Sequence, residues 1–158
     1  MAESISSISP VDGSVVAKRA VASKKQVAAT FAAARAAQKD WAALTIAERA
    51  AYCSKAVDAM LAMKDEIVPE LAWSMGRPVR YGAGELRGFE ERARHMIAIA
   101  PEALANLVPA AKDGFERFIT REAVGVVFTI APWNYPYLTT VNSVIPALMA
   151  GNTVVLKH

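Results

Sequence analysis

The sequence predicts an α/β protein in which a helical first two-thirds leads into a single strand–helix–strand unit of an incomplete sheet. Three observations carry this reading. Two capping boxes, Ser23 with Gln26 and Thr45 with Glu48, open stretches whose apolar residues recur at helical spacing. The run Ala123–Ala131 is β-prone and nearly unbroken, suited to a strand covered on both faces. After it come a Pro-bracketed loop, an apolar stretch of helical length and a second β-prone run.

Taken in order, Ser4–Ile8 and Ser14–Ala17 flank a Pro10-Val11-Asp12-Gly13 turn and predict a short hairpin. The first capping box starts a helix carrying Val27, Phe31, Ala34 and Trp41. The second starts one whose apolar stripe is Ile46, Ala50, Cys53, Val57 and Leu61. A third helical stretch runs from about Glu66 to Met75, with Gly76 to cap it and Pro78 to stop it. Leu86, Phe89, Ala93, Met96 and Ala100 mark a fourth. Phe115–Glu122 alternates apolar and charged residues, as a half-exposed strand does. Pro132 and Pro136 bracket a Trp-Asn-Tyr loop, and Pro136 can begin a helix that runs to about Ala150, strained at Pro146. Gly151-Asn152 ends it, and Thr153–Lys157 is a second buried strand. The crossover between the strands is expected to be right-handed. A doubly wound sheet needs several such units, so more protein is expected to follow.

Composition narrows the function. With 54% hydrophobic and 21% charged residues, the 158-residue chain is balanced for a globular domain. Lys and Arg exceed Asp and Glu by 18 to 15 and are scattered, with no basic stripe, so nucleic acid is not an expected partner. No apolar run reaches the roughly 20 residues that span a bilayer, and MAESISSISP lacks the layout of a secretory signal. A cytoplasmic protein without a membrane partner is expected. One cysteine and two separated histidines, His95 and His158, give no metal-ligand spacing, so no metal is expected.

In open α/β sheets ligands collect at the carboxyl ends of the strands. Asn134 follows the first strand there, and Lys157 closes the second. An Asn carboxamide donates to an oxygen gaining negative charge without itself titrating, as an oxyanion site requires. Lys157 offers three donors to ribose hydroxyls or phosphate. Taken alone, Asn134 reads as a turn residue and Lys157 as an exposed strand-end cation.

The surrounding string separates these readings. GVVFTIAPWNYP followed by IPALMAGNTVVLK closely resembles the aldehyde dehydrogenase superfamily, in its aldehyde-oxidising branch. The resemblance covers nearly the whole chain, including the Pro-Val-Asp-Gly turn, the Ala-rich helix ending in Trp41, Ala47-Glu48-Arg49 and Met75-Gly76-Arg77-Pro78. It is strongest from Arg121 to Lys157. It implies the N-terminal part of a Rossmann-like NAD(P)-binding domain: hairpin and helices over 1–110, a strand of the oligomerisation element over 113–122, and the first βαβ unit over 123–158, with the catalytic domain absent. It further implies oxidation of an aldehyde to a carboxylic acid through a cysteine thiohemiacetal, with NAD or NADP as cofactor. Family members are commonly homo-oligomers, dimers or tetramers.

Carried over by residue, the resemblance makes Asn134 the side-chain half of the oxyanion hole. Ile130, Ala131, Pro132 and Trp133 match the stretch along the nicotinamide side of the cofactor, and Lys157 matches the lysine that bonds the adenosine ribose. His158 stands where the family often has Pro, and Tyr135 where Phe is commoner. The nucleophilic cysteine, the general-base glutamate and the residues that select NAD over NADP are not within the sequence, so the chain alone is expected to be inactive. A non-catalytic module that self-associates through open sheet edges is the alternative. The acyl-phosphate and acyl-CoA reductase branch is disfavoured by Pro-Trp-Asn-Tyr-Pro.

Other features read as structural. Cys53 lies on an apolar helix face and is expected to be a core thiol. Gly82-Ala83-Gly84-Glu85-Leu86-Arg87-Gly88 has the wrong spacing and context for a dinucleotide loop. His95 is expected to pair with Glu91, four residues before it. Trp41 and Trp73 are expected to be packing anchors. Glu70, Glu85, Glu90 and Glu91 lie on helical faces without an evident acid–base partner.

Overall fold

The predicted turn at Pro10–Gly13 closes as a hairpin in the computed structural model, which describes residues 3–157. Strands β1 (Ser4–Ile8) and β2 (Val15–Ala20) pair antiparallel. Gly13 takes φ 77°, a conformation that costs glycine little. Buried Ser9 accepts from the Gly13 N–H and donates its own N–H to the Ser14 carbonyl.

Both capping boxes form as predicted. Ser23 and Gln26 open α1 (Lys24–Ala43), and Thr45 and Glu48 open α2 (Ile46–Ala62). The Thr45 hydrogen bonds hold the Glu48 carboxyl below its ordinary range. α3 (Lys64–Met75) ends on Gly76 in the left-handed conformation, its N–H donating to the Ala72 carbonyl. α4 (Val79–Ala103) starts a full two turns before the apolar stripe that announced it. Its glycines explain why the stripe begins late. A Cβ at Gly82 would lie 2.8 Å from Val68 Cγ1, and one at Gly88 would lie 2.7 Å from Leu138 Cδ1. Helical propensity is sacrificed there so that α4 can approach α3 and α5 closely.

The main core is built by α2, α4 and α5 (Pro136–Met149). Cys53 and Val57, Ala93 and Ala100, and Val141, Ile145 and Met149 meet there, with Trp41 and Phe89 against them. Ile67, Leu71 and Leu86 form a smaller cluster between α3 and α4. Strands β3 (Val126–Ile130) and β4 (Thr153–Lys157) run parallel in register, Val126 opposite Thr153 and Ile130 opposite Lys157. Side chains alternate across this pair. Phe128 packs edge-on against Phe31 of α1, with ring centroids 5.8 Å apart. Buried Thr129 points the other way and bonds Ser143 of α5 at 2.8 Å. One helix therefore covers each face.

Four expectations are corrected. The strand predicted over 113–122 is not formed: Ile119 makes an isolated bridge with Leu107, and Phe115, Phe118 and Ile119 are more than half exposed. An alternating sequence stays a strand only with a neighbour along its length, and here none is in place. β3 is not fully covered either, since Phe128 is 51% and Ile130 64% exposed on a sheet only two strands wide. His95 makes no ion pair with Glu91; the neighbouring Arg94 instead pairs with Glu90 and with Asp58 of α2. Of the two tryptophans expected as anchors, Trp41 is one, while Trp73 is 47% exposed. The departure noted at His158 falls on a residue outside those described.

The C-terminus of α5 is held by donors from distant segments. Arg49 Nε donates to the Met149 carbonyl at 3.0 Å, and its Nη1 to the Ala42 and Leu44 carbonyls. Trp41 Nε1 donates to the Leu148 carbonyl at 2.9 Å. Arg49 is 8% exposed, so removing it leaves several carbonyls dry and unpaired. Arg49→Ala should lower stability by about 2–4 kcal/mol in urea unfolding, from hydrogen bonds worth roughly 1.5–3 kcal/mol when charged. A change below about 0.5 kcal/mol, the usual range of surface substitutions, would contradict this account of α5.

Candidate functional site

Because β3 and β4 are parallel, their carboxyl ends share one edge of the sheet. The Ala131 N–H donates to the Lys157 carbonyl at 2.8 Å, which carries the pairing one residue beyond β3. The chain then turns through Pro132, Trp133, Asn134 and Tyr135 into α5. Asn134 and Lys157 are both exposed at that edge. Neither head group has a hydrogen-bond or ion-pair partner among the described residues, so each is available to a ligand. Ile130 and Trp133 are exposed, Trp133 to 79%, while Ala131 and Pro132 are half-buried. All six sequence-predicted residues therefore lie on one strand–loop segment and the strand end beside it.

What holds this loop was not read from the sequence. Tyr135 is the N-cap of α5 and makes no side-chain cap of its own, and Pro136 has no N–H to satisfy. The cap comes from α4. Glu85, 2% exposed, accepts the Tyr137 N–H at 2.9 Å and the Leu138 N–H at 3.3 Å on Oε1. Its other oxygen, Oε2, pairs with Arg77 Nη1. The second arm of the same guanidinium, Nη2, donates to the Asn134 backbone carbonyl at 2.7 Å. The guanidinium carbon also lies 4.1 Å from the centroid of the Tyr135 ring. Arg77 thus touches the carboxylate and the last two residues of the turn.

Glu85 therefore has partners, contrary to the expectation that it lay idle on a helical face. The signal was present. Gly82, Glu85, Leu86 and Phe89 fall on one helical stripe, and a carboxylate among apolar neighbours must be paired. Its charge also raises the pKa of the Tyr137 hydroxyl, after burial and together with Glu70.

The arrangement offers a carboxamide and an ammonium on an open sheet edge beside a rigid turn. That donor set fits a dinucleotide, whose hydroxyls and phosphates take a lysine while a carbonyl oxygen takes an amide. Among the described residues no three His, Cys, Asp or Glu groups gather. No described helix is long and apolar enough to cross a membrane. The Gly82–Gly88 segment is helical, not a phosphate loop.

Comparison with known proteins bears on the whole chain. The model of the aldehyde dehydrogenase family matches residues 1–158. The chain is 34% identical over 150 residues to the vanillin dehydrogenase of Corynebacterium glutamicum, covering 95% of this chain and 31% of that protein. It is 32% identical over 161 residues to the NADP-dependent glyceraldehyde-3-phosphate dehydrogenase of Streptococcus equinus, covering 98% and 34%. The crystal structure of an NAD-dependent benzaldehyde dehydrogenase from Corynebacterium glutamicum matches with a TM-score of 0.87 at 33% identity, over 98% of this chain and 34% of that one. The chain spans about a third of the length of the curated relatives it matches.

The single cysteine stands away from this edge. Cys53 is 2% exposed in the core, and burial pushes its thiol pKa up, against a smaller opposing pull from Arg49. A raised folded pKa favours the neutral thiol, so this contribution to stability is full below the unfolded cysteine pKa and is lost as pH rises through the folded value. We expect iodoacetamide at neutral pH to leave Cys53 unmodified in the native chain and to alkylate it after denaturation. Rapid labelling of the folded chain, followed by mass spectrometry, would show that this thiol is not a core group.

Proposed function

The chain belongs to the aldehyde dehydrogenase family, and from that premise we propose that its β3–β4 edge contributes the oxyanion donor and part of the cofactor wall to an NAD(P)-dependent aldehyde oxidation. The observation that carries the reading is the register itself. Ile130 lies opposite Lys157, which supports a reading in which the Asn134 carboxamide, in the turn just after β3, and the Lys157 ammonium serve one rim. In this proposal the Asn134 side-chain N–H donates to the aldehyde oxygen as a nucleophile adds to the carbonyl, when charge builds on that oxygen. Lys157 binds the adenosine ribose, and Ile130 to Trp133 flank the nicotinamide. NAD or NADP supplies the electron acceptor; both kinds of enzyme occur among the relatives.

The nucleophile is not Cys53, whose thiol lies buried in the core with its pKa pushed up by that burial. We assign the reactive cysteine and the base that activates water to the two-thirds of the relatives' length that residues 1–158 do not span. The exposed segment around Phe115–Ile119 is taken as the surface through which copies associate, where a partner strand would complete the alternation seen in the sequence.

Two substitutions in the full-length protein separate the roles. Asn134→Ala should lower kcat by about 10²–10³ with little change in the apparent affinity for the dinucleotide. Lys157→Ala should instead weaken dinucleotide binding by about 10–100-fold, the loss of charged hydrogen bonds, and leave kcat at saturation nearly intact. Near-normal turnover in Asn134→Ala would sink the oxyanion assignment.

A second reading is favoured by the exposed Phe128, Ile130 and Leu156 on the sheet: residues 1–158 acting as a non-catalytic module that pairs its edges with another copy. Purified residues 1–158 should form no NADH or NADPH from an aldehyde. Light scattering distinguishes the readings, since a defined soluble oligomer supports the module and aggregation supports dependence on a catalytic domain.

A further inference from the structure

Arg77 and Glu85 belong to no part of the chemistry described so far, yet they contact the turn at three points. The Glu85 carboxylate is fully buried and fixes the first amides of α5. Arg77, with a side chain only 11% exposed, uses one arm on that carboxylate and the other on the Asn134 carbonyl. Its flat face meets the Tyr135 ring. A planar guanidinium locked on both arms cannot rotate without breaking one contact. The Asn134 backbone is thereby tied to α4, a 25-residue helix packed in the core, rather than left to its own two flanking residues.

We propose that Arg77 and Glu85 are positioning residues, a clamp that fixes the Asn134 backbone so that its carboxamide is oriented before the reaction. This rests on the proposed oxyanion role of Asn134. An oxyanion donor acts through preorganisation, and a misplacement of about 1 Å can cost about 10²-fold in rate. Glu85 acts through Arg77 and through the α5 cap; Arg77 acts directly on the turn. The charge pair also suits its place, because a carboxylate at a helix N-terminus is favoured by the helix dipole. A lysine at position 77 keeps the charge for Glu85 but cannot grip carboxylate and carbonyl in one plane.

A double-mutant cycle on turnover in the full-length protein tests the clamp, with Arg77→Lys and Asn134→Ala made singly and together. Arg77→Lys alone should lower kcat by about tenfold or more, an amount between no misplacement and the full loss of the donor. Its KM for the dinucleotide should stay within about twofold, since binding energy remote from the turn is untouched. In the Asn134→Ala background the same substitution should change kcat by less than about twofold, because the donor it orients is gone. Glu85→Gln, which keeps volume and one acceptor but not the charge, should show the same non-additivity and serves if Arg77→Lys does not fold. Additive losses would overturn the clamp and leave the role of Asn134 standing, as would full activity in both Arg77→Lys and Glu85→Gln. Full activity in Asn134→Ala would overturn the oxyanion reading and the clamp together.

Discussion

The parallel pairing of β3 with β4 is the constraint on which the rest of the structure depends. Two parallel neighbours cannot be joined by a tight hairpin, so the chain must leave one end of the sheet, return along a helix and re-enter at the other. That helix is α5. Its obligatory crossover brings the carboxyl ends of both strands to one rim and makes the turn after Ile130 part of that rim. Asn134 and Lys157 are 23 positions apart in the chain (157 less 134), and only the crossover makes them neighbours on an edge.

A crossover helix must also be anchored at both ends, and here each end is met by a charge of the appropriate sign. Glu85 supplies an anion to the N-terminal amides, and Arg49 a cation to the C-terminal carbonyls. Both agree with the helix dipole and both satisfy groups that a helix cannot bond internally. Asn152 completes the C-terminal end, its side chain accepting from the Gly125 N–H and donating to the Ala147 carbonyl. The two buried ions come from different helices, so α5 is tied to α2 at one end and α4 at the other. Between them Val141, Ile145 and Met149 fill the shared core.

Local chemistry was legible in the sequence and distant pairing was not. Ser23, Thr45, Gly13 and Gly76 act on residues only a few positions away, and each does what its type and spacing predict. The β-prone runs and Pro136 likewise announced strand, helix and strand. Phe115–Glu122 failed because alternation states only that a strand could form, whereas a strand exists only where a neighbour lies alongside. His95 failed because spacing of four residues permits a pair without requiring one, and Arg94 is the stronger partner for the nearby acids. The positions of Asn134 and Lys157 followed from topology plus the family resemblance. The Arg77–Glu85–Asn134 link did not, since it joins residues up to 57 apart that no short motif relates. Glu85 could still have been flagged, as a carboxylate on an apolar helical stripe is expensive without a cation.

The most direct measurement is a crystal structure of the full-length protein with NAD or NADP bound. The dinucleotide should lie across the carboxyl edge of β3 and β4, with the Lys157 ammonium on the adenosine ribose and the Asn134 carboxamide facing the nicotinamide end. A dinucleotide seated on another surface, or an Asn134 side chain turned away from it, would contradict the account.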